Sequence, residues 1–63
     1  VIDWQVLKNH LSELALTRAA PDGKESCIYG LIAYAEKELG KSPSRTAVQR
    51  NMGEELDAIY ARK

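Results

Sequence analysis

Three apolar stripes with helical spacing run along the chain, separated by two breaks rich in glycine and proline. Trp4, Leu7, Leu11 and Leu14 recur three and four residues apart, which places them on one face of a helix. The pattern predicts a first helix over about 4–18. Asp3 is suited to cap it, because its carboxylate can accept the free N–H groups of the first turn. Ile2 and Leu7 then stand at the two positions of a hydrophobic staple. Arg18 follows at the next stripe position and ends the expected buried part, while Val6 and Leu16 lie off the stripe.

Ala19-Ala20-Pro21-Asp22-Gly23 is the first break, since proline disfavours helical geometry in the residue before it and Asp-Gly is a turn dipeptide. A second helix is predicted over about 24–39. Ile28, Leu31, Ile32, Ala35 and Leu39 form its core face, and Asp22 and Ser26 are rival N-caps. Gly30 and Ala33 leave other surfaces small enough for a close helix crossing. Tyr29 and Tyr34 are expected to pack their rings and leave their hydroxyls wet.

The second break is Gly40-Lys41-Ser42-Pro43-Ser44. Gly40 fits a C-terminal glycine in the left-handed region, and Ser42-Pro43 fits a cap followed by proline in the first helical position. Ser44 serves equally well as the cap. Beyond it, Val48, Met52, Leu56, Ile59 and Tyr60 fall within one face of about 120° at 100° per residue. The stripe passes Gly53 without a change of phase. A single helix over about 44–62 is therefore favoured over one that breaks at Gly53, with the glycine costing about 1 kcal/mol relative to alanine. The fold class that follows is all-α, a compact three-helix bundle, with 1–63 as one small domain.

Charge adds a modest polarity. Nine basic and nine acidic side chains cancel over the whole chain. Residues 1–40 carry a net −2 and residues 41–63 a net +2. Zero net charge argues against a strongly basic nucleic-acid binder, whereas the basic second half leaves room for a local contact. One cysteine, Cys27, excludes an intramolecular disulfide and favours a small buried apolar role in a cytoplasmic setting. The apolar runs are too short to span a membrane and no signal-peptide pattern opens the chain. Val rather than Met at the first position fits a processed chain or an excised domain.

Little in the sequence could carry catalysis. His10 and Glu13 are three residues apart on the first helix and form a surface polar pair without a third metal ligand. Cys27 and His10 have nothing to orient them as nucleophile and base. Glu36 and Glu38 point to different sides of their helix. No glycine-rich phosphate loop is present. The chain is expected to be no enzyme and to need neither metal nor cofactor.

What remains is a helix, a tight turn and a polar, basic helix start. The spacing of Gly40, Pro43, Arg45, Val48, Met52 and Gly53, preceded by Leu31-Ile32-Ala33-Tyr34-Ala35-Glu36-Lys37-Glu38-Leu39, resembles the helix-turn-helix region of bacterial repressors. The resemblance is closest to the winged-helix domain of SOS-type repressors and covers about residues 28–53. It implies a DNA-binding domain of a bacterial or phage regulatory or replication protein. The chain departs from that pattern after Gly53, where Glu54-Glu55 replaces the expected turn, and it has no strand signals for a wing.

A second register fits the residues better. Here the third helix is itself the recognition helix, and Ser44, Arg45, Thr46, Gln49 and Arg50 contact DNA with Lys41 on phosphate. Serine and threonine at a helix start suit phosphates, and glutamine and arginine can read base edges. The same residues also make an ordinary solvated face. The alternative is a protein-interaction or homodimerisation module that uses Val6, Leu16 and Tyr60.

Overall fold

The computed structural model describes residues 2–60, which form α1 (Trp4–Leu16), α2 (Lys24–Leu39) and α3 (Arg45–Tyr60). Each helix contacts the other two. The chain is an all-α three-helix bundle, and its radius of gyration of 10.7 Å is that of a collapsed chain of this length.

The stripes meet as expected. Leu7 and Leu11 from α1, Cys27, Ile28, Leu31 and Ala35 from α2, and Val48, Met52 and Leu56 from α3 form one buried cluster. Ile2, Trp4, Ile32, Tyr34, Leu39, Ile59 and Tyr60 pack around it, partly buried. Cys27 is a free, buried cysteine, the role expected of a lone cysteine. Leu14 is only half-buried, and Leu16 remains 85% exposed at the end of α1.

The helix ends differ from expectation in instructive ways. α1 stops at Leu16, two residues before the predicted end. Arg18 takes a left-handed φ of 59°, its N–H bonds to the Ala15 carbonyl, and the Ala19 N–H reaches the Leu14 carbonyl at 2.8 Å. This is the paired closure usually built on glycine, here made by an arginine. At the start of α2 the N-cap is Gly23, in place of Asp22 or Ser26, and no side chain caps the helix. Its end follows the sequence: Gly40 has φ 71° and donates to the Glu36 carbonyl.

Ser44 settles the start of α3. Its Oγ accepts from the Ala47 N–H at 3.1 Å and its carbonyl accepts from the Val48 N–H. Pro43 is buried in the turn, outside the helix. The helix then runs to Tyr60, and the predicted last residues, 61–62, lie outside the described residues. It is bent, because Met52 has φ −124° and ψ 16°, which are not helical. The single-helix expectation is corrected to two helical segments joined at Met52. A Cβ built on Gly53 meets nothing within 4 Å and its φ is not left-handed. The bend lies next to a residue of weak helix propensity, at a position where a side chain would have room. Gly30 is likewise exposed with open space around it, so no close crossing depends on it.

Candidate nucleic-acid interface

The turn after α2 and the first turns of α3 present Lys41, Ser44, Arg45, Thr46, Gln49 and Arg50, all exposed. They do not form one uniform set. Lys41, Thr46, Gln49 and Arg50 make no side-chain hydrogen bond or ion pair among the described residues. The Ser44 hydroxyl oxygen is engaged in capping, although its own proton remains free to donate.

Arg45 differs from these residues in having partners within the fold. It precedes Val48 by three positions and Met52 by seven, so helical periodicity turns it toward α2. There its guanidinium forms a two-pronged pair with Glu25. Nε donates to Oε1 at 3.0 Å, and a second bond joins Nη2 to Oε2. The guanidinium carbon also lies 6.0 Å from the centre of the Tyr29 ring. Glu25 and Tyr29 are four apart on α2 and so share a face. Hydrogen bonding to Glu25, then its charge, raises the Arg45 guanidinium above its ordinary range. Tyr29, whose ring was expected to pack, is 58% exposed beside it. The 45/48/52 spacing was the sequence signal for this cluster.

The acidic second half of α3 is committed elsewhere. Lys24 donates to Asp57 Oδ1 at 2.9 Å, and Lys8 lies 3.7 Å from Glu55. These pairs tie α3 to α1 and α2 and offset two of the three carboxylates in its second half. Glu54 is exposed. Tyr60 donates its hydroxyl proton to the Pro21 carbonyl at 2.7 Å, closing the far end of the bundle. Burial, reinforced by the neighbouring Cys27 thiol and the Asp22 carboxylate, pushes the Tyr60 hydroxyl up from 10.0 to about 12.

The other polar candidates have structural partners. His10 stacks on Tyr34 across the α1–α2 seam, with ring centres 3.7 Å apart and planes 5° from parallel, in place of the expected pairing with Glu13. Among the described residues, no group of three or more His, Cys, Asp or Glu side chains is placed to hold a metal ion. No helix among them is long and apolar enough to cross a membrane.

Away from the basic turns, an open apolar groove of about 370 Å³ lies between the end of α1 and the end of α3. Leu11, Ala15, Leu16, Ala58 and Ile59 supply its apolar walls, with Ser12 and Glu55 also lining it. Of the three apolar positions read as spare for a partner, Leu16 is the exposed one. Val6 is half-buried, and Tyr60 is bonded to Pro21.

No protein-family model, curated protein or solved structure matches the chain.

Proposed function

We propose that the chain is a helix-turn-helix-like DNA-binding domain of a bacterial or phage regulatory or replication protein, with the start of α3 as its contact element. The observation that supports this reading is the contrast in side-chain engagement. Lys41, Thr46, Gln49 and Arg50 are exposed without partners among the described residues, while Glu55 and Asp57 are paired with Lys8 and Lys24. Lys41 and Arg50 would neutralise phosphates, the Ser44 and Thr46 hydroxyls would donate to phosphate oxygens, and Gln49 would meet a base edge.

Two or three phosphate contacts make a weak, salt-sensitive binder, whose log affinity falls with log salt by about 0.9 per contact. Fluorescence anisotropy with a labelled mixed-sequence duplex at low and moderate salt tests the proposal. Lys41→Ala and Arg50→Ala should each weaken binding across sequences and lower the salt slope by about one. Absence of binding at low salt, or variants indistinguishable from the wild type, contradicts it.

The groove favours a second reading, a protein-interaction module seated on Leu16 and its neighbours. A small core rarely supplies more than about 3–5 kcal/mol by itself, so burial of such a face would add usefully to stability. A concentration-dependent sedimentation profile that Leu16→Ser abolishes would favour this reading over the first.

A further inference from the structure

The Arg45–Glu25 pair occupies a further cation at the start of α3, one the sequence reading placed among the DNA contacts, and its geometry matters. A carboxylate presents two oxygens to a guanidinium in the same forked arrangement as a phosphate. Glu25 fills that fork in the free protein. The pair is exposed rather than buried, with 42% of the Arg45 side chain and 60% of the Glu25 side chain accessible, so exchange requires no opening of the core. Exposed pairs of this kind are held by little free energy. The Tyr29 ring lies on the α2 side of Arg45, one turn on from Glu25, with its face toward the guanidinium.

We propose that Glu25 acts as an internal stand-in for phosphate, holding Arg45 in the free protein and giving it up when a nucleic-acid phosphate arrives. This rests on the DNA-binding reading of the start of α3 and adds an autoinhibitory contact to it. Glu25 restrains affinity because it must release Arg45 before the guanidinium can meet a phosphate. The contact keeps the free domain from binding loosely to any polyanion, and it makes Arg45 part of the interface only in the complex.

A double-mutant cycle tests this with a mixed-sequence DNA duplex, using the wild type, Glu25→Gln, Arg45→Ala and the double variant. Glu25→Gln should tighten binding by about two- to fivefold, the range that an exposed ion pair allows. The same substitution should do nothing in the Arg45→Ala background, because the gain passes through the guanidinium. Equal tightening in both backgrounds would mean that Glu25 acts as a general negative charge, and would overturn the proposal. Unchanged or weaker binding by Glu25→Gln, with a wild type that binds, would overturn it while leaving the DNA-binding reading intact. No binding by any of the four proteins would remove both. Thermal melts of each variant confirm folding, and Glu25→Ala repeats the cycle without a hydrogen-bond acceptor at that position.

Discussion

Before the bend at Met52, α3 presents Thr46, Gln49 and Arg50 to solvent with no partner among the described residues. After it, Glu55 and Asp57 reach to Lys8 and Lys24, and Tyr60 closes on Pro21. The apolar stripe is continuous across the bend, with Val48, Met52 and Leu56 all buried. The two halves therefore share one core and differ only in what their polar sides do. The second half, Glu54 apart, spends its polar groups on the rest of the bundle. The first half, Arg45 apart, leaves Thr46, Gln49 and Arg50 exposed to solvent. This division within one helix is what favours placing the proposed interface at its start.

The largest expected effect comes from the part the two halves share. Leu56→Ala removes a fully buried side chain and should cost about 2–5 kcal/mol, close to the whole stability of a domain this small. Urea denaturation should show a midpoint near zero denaturant. A variant that stays cooperative at high urea would mean that the second half does not anchor α3.

A smaller effect is expected where the second half closes on the α1–α2 connection. Tyr60→Phe keeps the ring and deletes the bond to Pro21, for a loss of about 1 kcal/mol. The same hydroxyl sets a pH dependence. The native phenol keeps its proton to about 12 while the unfolded one loses it near 10.0. Its contribution is thus complete below pH 10 and declines as pH rises toward 12. Thermal melts across that window should fall more steeply for the wild type than for Tyr60→Phe.

The smallest effect concerns the joint itself. Gly53→Ala finds open space for its methyl group and should stabilise the domain by up to about 1 kcal/mol by favouring helix at the bend. Destabilisation instead would show that the bend is required by the packing of Met52, and that the two halves are separate units.

Much of this was legible in the sequence because it depends on spacing along one chain. The bounds of α2, Lys24–Leu39, follow from a glycine break on either side, and the buried cluster follows from three periodic stripes. Arg18 was harder, because a left-handed arginine leaves no glycine to mark the end of α1. Arg45 was placed among the DNA contacts, and its spacing to Val48 and Met52 also turns it toward α2, where it meets Glu25. The pairs Lys8–Glu55, Lys24–Asp57 and His10–Tyr34 depend on how the helices slide against one another. That register is set by the packing of the whole core, and no local pattern contains it.

The most direct test of the contrast within α3 is a backbone-amide NMR titration with mixed-sequence duplex DNA at low salt. Shifts concentrated in Lys41–Arg50 and around Glu25 and Tyr29, reversed by added salt, are the predicted result. No shifts at all, or shifts confined to the groove around Leu16, Ala58 and Ile59, would contradict it.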